Sequence, residues 1–252
     1  MGELEEKVLD FRNVKLGIAL PLTNQMVHAR WALTFERMWK PPQYTMLFPQ
    51  IPPGEHADSI ASIRNHLVRQ ALEADCTHML MMDTDQTYPA DTIIQLFSHH
   101  LPVVHGKVHR GYDPFDPIML KGNKNDGYKL VEDLTWGRGG LIEVDAIGTG
   151  CVLYGMDIFL DIEYPWFENL PAKGDTRTGE DIGFCWKLRE AGYRIFVDCD
   201  IDIGHMRLLE VNENTYWAFK QLRQMANLPD DPQEAYEVFC RCTEHLRKAN
   251  SK

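Results

Sequence analysis

Thr77-His78-Met79-Leu80-Met81-Met82-Asp83-Thr84-Asp85 decides the fold. From Met79 to Met82 every position is apolar, not every second one. That pattern marks a strand of a parallel sheet buried on both faces. Two carboxylates follow at once. The carboxyl edge of an open α/β sheet is where ligands bind. In extended backbone, positions i and i+2 point the same way, so Asp83 and Asp85 would share a side. Two like charges held there are unfavourable without a cation. A divalent ion carrying a diphosphate is the simplest candidate. The bland alternative is a turn with two solvated aspartates.

Outward from this strand, the first hundred residues alternate strand and helix, which predicts a parallel α/β sheet. Val14 to Leu20 reads as the first strand, stopped by Pro21. A helix over 28–39 and a strand over 44–48 follow. Ile60, Ile63, Leu67 and Ala71 make one helical face, with Asp58 or Ser59 as cap. Pro89 is placed to open a helix carrying Ile93, Ile94 and Phe97, and Val103-Val104 is another strand. The middle is irregular: 119–120 and 128–131 read as strands of a smaller sheet, and 141–146 as a strand running into Gly148-Thr149-Gly150. Residues 151–154 continue apolar and 156–162 read as a short helix. Residues 168–180 form a polar loop. A helix then ends at Gly192, a strand covers 193–197, and 200–205 alternate. From Leu208 the signal is helical, with Ala235, Val238, Phe239, Cys242 and Leu246 on one face.

Composition bounds the partners. The chain has 252 residues, 44% hydrophobic and 25% charged, ordinary for a globular protein with a real core. No apolar run approaches the roughly 20 residues that span a bilayer, and the acidic start lacks a signal-peptide core. The six cysteines form no Cys-x-x-Cys pair and read as reduced core thiols of a cytoplasmic protein. A net charge of −11 argues against a broad nucleic-acid footprint. An anionic nucleotide would need a metal and a few placed arginines.

Further candidates each carry a plainer reading. Glu180-Asp181 opens a helix; Thr178 and Asp181 have capping-box spacing, whereas a carboxylate at a cleft mouth takes a proton from a hydroxyl. His205 is either a backbone-bonded histidine or a metal ligand whose imidazole suits Mn²⁺ better than Mg²⁺. Gly148-Thr149-Gly150 is a tight turn or a close approach for a sugar. Arg64-Asn65 is a solvated polar face or a phosphate or sugar contact. Trp136, Trp166 and the 168–180 loop are core packing or sugar-stacking surfaces. There is no G-x-S-x-G, Walker loop or Rossmann glycine fingerprint.

The order of these features resembles the GT-A glycosyltransferases, in particular the family-2-like enzymes that use nucleotide-sugar donors. The most specific stretch is Gly179-Glu180-Asp181-Ile182-Gly183-Phe184-Cys185-Trp186-Lys187-Leu188-Arg189-Glu190-Ala191-Gly192-Tyr193-Arg194-Ile195, similar to that family's Glu-Asp motif, helix and Gly-Tyr strand entry. Val144 to Leu153 is similar to its glycine-containing acceptor region. The resemblance covers about residues 14–207. It implies a GT-A, Rossmann-like α/β fold: a mostly parallel central sheet flanked by helices, a small second sheet and a helical extension over 208–252. Within 1–207, about 14–105 would bind the nucleotide sugar and about 106–207 the acceptor.

The resemblance also implies roles. Pro21, Thr23 and Asn24 would line the base and ribose pocket, and Arg64 would face the diphosphate or donor sugar. Asp83-Thr84-Asp85 would hold the donor, with Asp83 on ribose or metal and Asp85 on the metal. His205 would complete the metal site. Asp181 would be the base of an inverting transfer, Glu180 its neighbour, and Gly148, Thr149, Gly150 and Trp136 would meet sugar or acceptor. The second strand runs into Phe48-Pro49-Gln50, without the base-reading aspartate of many relatives, so UDP- and GDP-sugars both stand as donors. The expected acceptor is a hydroxyl on a glycan, small molecule or protein, with modified nucleic acid disfavoured by the acidic balance. The tail is a candidate homo-oligomer contact. The competing reading is a non-catalytic nucleotide-sugar or carbohydrate-binding protein of the same fold. A nucleotidyltransferase is weaker, because no glycine- and lysine-rich loop follows the first strand.

Overall fold

A computed structural model of the chain describes residues 9–23, 26–49, 59–112, 115–132, 135, 137–171, 178–208, 212–225 and 234. In order, the first half contains β1 (Leu16–Ala19), α1 (Ala29–Arg37), β2 (Tyr44–Leu47), α2 (Ile60–Glu73), β3 (His78–Met82), β4 (Gln86–Thr87), α3 (Thr92–Ser98), β5 (Val103–Val108), β6 (Met119–Asn123) and β7 (Gly127–Leu130). Then come β8 (Leu141–Val144), β9 (Ala146–Ile147), β10 (Cys151–Gly155), α4 (Ile158–Asp161), α5 (Glu180–Glu190), β11 (Ile195–His205) and α6 (Glu213–Met225).

Eight strands form the main sheet in the order β2-β1-β3-β10-β5-β11-β4, with β8 paired to β11. Strands β1, β2, β3, β5 and β11 run one way, and β4, β8 and β10 the other. The sheet is therefore mostly parallel but mixed. Strands β3 and β5 are not neighbours, because β10 is inserted antiparallel between them. A strand some seventy residues along the chain fills the gap that a strictly parallel βαβ reading closes. The small second sheet has the order β7-β6-β9.

Both faces of β3 are buried, as its unbroken apolar run requires. Leu80 and Met82 pack with Leu16, Ile18, Trp31, Ile93, Leu96 and Phe97, the side covered by α1 and α3. Met79 and Met81, also fully buried, alternate onto the opposite side. There α2 comes close over Gly17, where a Cβ would lie 2.8 Å from Leu47 and 3.1 Å from the Cys76 sulfur. Cys76, Cys151, Cys185 and Cys199 are free and buried.

Local signals explain most boundaries. Ser59 caps α2, its Oγ accepting the Ser62 N–H at 3.3 Å. Pro89 does not open α3: Asp91 is the N-cap, and the Pro89 carbonyl accepts from the Thr92 N–H and hydroxyl in the turn ahead of it. The segments read separately as 193–197 and 200–205 are one strand, β11, with a register shift between Asp198 and Asp202. The helix expected over 156–162 shrinks to the four residues of α4.

The chain divides into two compact units: Met1–Val131 with Gly140–Met206, and Glu132–Gly139 with Arg207–Lys252. In the second, α6 exposes Tyr216 and Trp217, whose rings flank the Lys220 ammonium. The apolar face expected over 235–246 lies outside the described residues, as do residues 172–177 of the polar loop. No described helix is long and apolar enough to cross a membrane.

Asn65 corrects the polar-face reading of α2. It is buried, its amide N–H donating to the Phe167 carbonyl at 2.7 Å while its oxygen accepts the Phe167 N–H at 3.0 Å. This pair fastens the segment leading to α5 onto α2. Asn65→Ala leaves both buried Phe167 groups without a partner and is expected to cost about 2 kcal/mol in urea denaturation.

Candidate functional site

The site begins where β3 ends. The Asp83 N–H donates to the Gly150 carbonyl at 3.0 Å, extending the β3–β10 ladder by one bond. The chain then turns at Thr84-Asp85, and the Asp85 carbonyl accepts the Met206 N–H at 2.7 Å. Asp83 points toward Arg64, whose Nη2 is 3.8 Å away, and Asp85 toward His205, whose Nε2 is 3.1 Å away. Since β1 and β3 are parallel, with Ala19 opposite Met81, Pro21 and Thr23 leave the sheet at this same edge. Pro21 is buried and Thr23 exposed; Asn24 and Trp136 lie outside the described residues.

Arg64 is the buried hub. It is 6% exposed and pairs through Nη1 with Glu180. It therefore does not lie on a solvated face: α2 turns this corner inward, against the start of α5. Its Nε is buried without a hydrogen-bond partner among the described residues.

Glu180 and Asp181 occupy the first turn of α5, where the helix dipole favours acids. The capping box does not form. Gly179 is the N-cap, the Thr178 hydroxyl donates to the Leu170 carbonyl at 3.3 Å, and Asp181 accepts the Ile182 N–H at 2.8 Å. A Cβ at Gly179 would sit 2.6 Å from an Asp181 oxygen, so the glycine leaves room for that carboxylate. Gly148 lies alongside, its virtual Cβ 3.7 Å from the other Asp181 oxygen. Thr149 is buried, its hydroxyl without a hydrogen-bond partner among the described residues. Trp166 belongs to the core: its indole N–H serves the Phe159 and Ile162 carbonyls.

Burial raises the Asp181 carboxyl above its usual range, the neighbouring Glu180 charge adds to this, and Arg64 opposes it. Asp83 is raised as well, first by burial, with Arg64 and His205 pulling against Asp85 and Glu180. Among the described residues Arg64 lies beside Asp83 and Glu180, and His205 beside Asp85. His205 Nδ1 donates to the His109 carbonyl at 2.7 Å, since a carbonyl only accepts. Its Nε2 therefore meets the Asp85 carboxylate as a lone pair facing a lone pair unless a proton or a metal lies between. Among the described residues no group of three or more His, Cys, Asp or Glu side chains gathers to hold an ion; the Asp85–His205 pair is what this edge offers.

Three contributors escaped the sequence reading. Gln86 and Tyr88 lie buried behind the acid turn, and no periodicity or motif marks them. His105 lies beneath Gly148–Cys151, accepting the Cys151 N–H at 3.4 Å, with its pKa lowered by burial to about 4.

No protein-family model matches the sequence, and no curated protein matches it. Solved structures do. The chain is similar to A197 from STIV, with a TM-score of 0.50 and 13% identity over 79% of this chain and 97% of that one. It is also similar to GalNAc-T7 with UDP, GalNAc and Mn²⁺, with a TM-score of 0.54 and 9% identity over 84% of this chain and 48% of that one. The fold is GT-A. At such identities the likeness speaks for the fold alone.

Asp181 holds its proton more tightly folded than unfolded, so its contribution to stability is fully present below the ordinary carboxylate pKa and is lost as pH rises from there through the raised one. Asp181→Asn is expected to stabilise the chain above that pKa, with the gain vanishing in acid. Glu180→Gln acts the other way: it strips Arg64 of its buried partner and is expected to cost about 3 kcal/mol. Urea denaturation across pH separates the two.

Proposed function

We propose that the chain is a metal-dependent glycosyltransferase that moves a sugar from a UDP- or GDP-sugar to an acceptor hydroxyl, with inversion and with Asp181 as base. The observation that carries this reading is the pairing of Asp85 with a His205 whose other nitrogen is committed to a carbonyl, at the carboxyl edge of a GT-A sheet. The fold neighbour GalNAc-T7, solved with UDP, GalNAc and Mn²⁺, supports the choice of ligands.

The residues fit a divalent ion. Adjacent ligands of an octahedral ion, each about 2.1 Å from it, lie about 3 Å apart, and Asp85 Oδ2 and His205 Nε2 are 3.1 Å apart. One imidazole beside carboxylates favours Mn²⁺ over Mg²⁺. A two-donor set suits an ion whose remaining positions are taken by donor phosphates and water. Bound there, the ion would offset negative charge on the leaving nucleoside diphosphate. The Asp85 side chain, 37% exposed, is open to such a ligand, whereas that of Arg64, 8% exposed, is enclosed. Arg64 therefore holds Glu180 and balances Asp83 instead of reaching into solvent for phosphate. With Glu180 pinned, Asp181 is the acid left to accept a proton from an acceptor hydroxyl. Its raised proton affinity makes it a stronger base than an ordinary aspartate. The Thr149 hydroxyl, without a hydrogen-bond partner among the described residues, lies next to Gly148, where a sugar or acceptor would hydrogen-bond.

Nucleoside diphosphate release from UDP- and GDP-sugars with Mn²⁺ tests the reading. Asp85→Asn is expected to abolish metal-dependent donor binding. Asp181→Asn is expected to keep binding while transfer falls about 10²- to 10⁴-fold. In the wild type, transfer should rise with pH through the raised Asp181 pKa, and that acid limb should vanish in Asp181→Asn. Tight donor binding with neither hydrolysis nor transfer would replace the enzyme by a binding protein of the same fold. No binding of either donor with Mn²⁺ would end both readings.

A further inference from the structure

We propose that Tyr88 is a positioning residue whose hydroxyl clamps the Asp83–Asp85 turn against Gly150. Tyr88 lies between β4 and α3 and is 4% exposed. Its oxygen is 2.7 Å from the Asp83 carbonyl oxygen, 2.9 Å from the Gly150 carbonyl oxygen and 3.1 Å from the Gln86 amide. The Asp83 N–H meets the same Gly150 carbonyl at 3.0 Å. A phenol has one proton, and main-chain carbonyls only accept, so the hydroxyl is shared between the two carbonyls on either side of the turn.

Gln86 completes the arrangement. Its side-chain oxygen and nitrogen are distinguished only by the network around them. The structure sets the Oε1 end against the phenol; three acceptors around one proton are better served by the exchanged amide, whose NH₂ donates to the phenol oxygen and leaves the Tyr88 proton for the carbonyls. The amide cannot move aside. Gln86 is 1% exposed, and a Cβ at Gly150 would lie within 3 Å of its amide group. Gly150 is glycine because this amide takes the space a side chain would need.

The clamp matters because of what it steadies. Thr84 and Asp85 lie in a turn and belong to no strand. The Met206 N–H holds Asp85 from one side, through its carbonyl. On the other side the turn is anchored at Asp83, where Tyr88 and Gly150 act together. The direction of the Asp85 carboxylate toward His205 depends on both anchors. Tyr88 touches neither a reacting atom nor an ion. It acts through the backbone, as outer-shell partners of metal ligands do.

The clamp stands on the geometry, and only its consequence for ligand binding rests on the proposed function. Amide hydrogen exchange on the full chain tests the first. In Tyr88→Phe, exchange at 83–86 and 150–151 should rise at least tenfold, while α2 and β1 keep wild-type protection. Unchanged exchange at 83–86 overturns the proposal. Affinity for Mn²⁺ with UDP, and with GDP, tests the second by electron paramagnetic resonance. The phenylalanine variant should lose about 10- to 100-fold, and saturating Mn²⁺ should restore kcat. A purely structural role would lower Tm and leave this affinity unchanged, which also sinks the positioning role. If wild-type protein binds no Mn²⁺ with either nucleotide while exchange rises as expected, the clamp stands and the glycosyltransferase reading fails. Should Tyr88→Phe not fold, Gln86→Met removes one partner of the same hydroxyl. It should give a smaller rise at 83–86, and no rise overturns the clamp.

Discussion

Strand β10 is held between β3 and β5 by antiparallel hydrogen bonds, with Cys151 opposite Met82. The geometry of the candidate site follows from that register. One residue beyond the pair, the Asp83 N–H still finds the Gly150 carbonyl. The acid turn is therefore fixed to Gly148-Thr149-Gly150 before any side chain contributes. A one-residue slip would put every side chain of β10 on the wrong face of the sheet. It would also separate Asp83 from the glycine turn that borders Asp181.

Around this backbone frame the charges are unequal. Asp83, Asp85, Glu180 and Asp181 converge, and Arg64 and His205 answer them. Arg64 is buried deeply enough that losing either its charge or its partner is costly. It gathers α2, the end of β3 and the start of α5 at one point. What Arg64 does not neutralise falls to Asp85 and Asp181. The first turns toward an imidazole; the second keeps a raised proton affinity. Such local conflict is typical of functional sites.

Much of the fold was legible. The all-apolar run of β3 predicted a strand buried on both faces, and strand and helix alternated as an α/β sheet demands. Strands β6 and β7 of the small sheet were visible as short segments, while β9 completes that sheet. The order of strands in space was not legible, because β10 reaches its place by a pairing that sequence proximity does not announce. In the site, Asp85 with His205 and the Glu180-Asp181 pair stood out as residue types at the right element ends. The inward turn of Arg64 and the use of Asn65 as a backbone clamp did not, since a polar residue on an amphipathic helix reads as solvated until its neighbours are known.

The amino-acid sequence by itself determined the apolar strands, the helix faces, the Ser59 cap and the acids at the carboxyl edge. Each of these is set by local periodicity or by side-chain chemistry within a few residues. Tertiary structure alone decided that Asp83 meets Arg64 while Asp85 meets His205, that Thr178 does not cap α5, and that Gln86 and Tyr88 stand behind the acid turn. These outcomes depend on hydrogen bonds between segments far apart in the chain, where burial leaves a polar group no water to turn to.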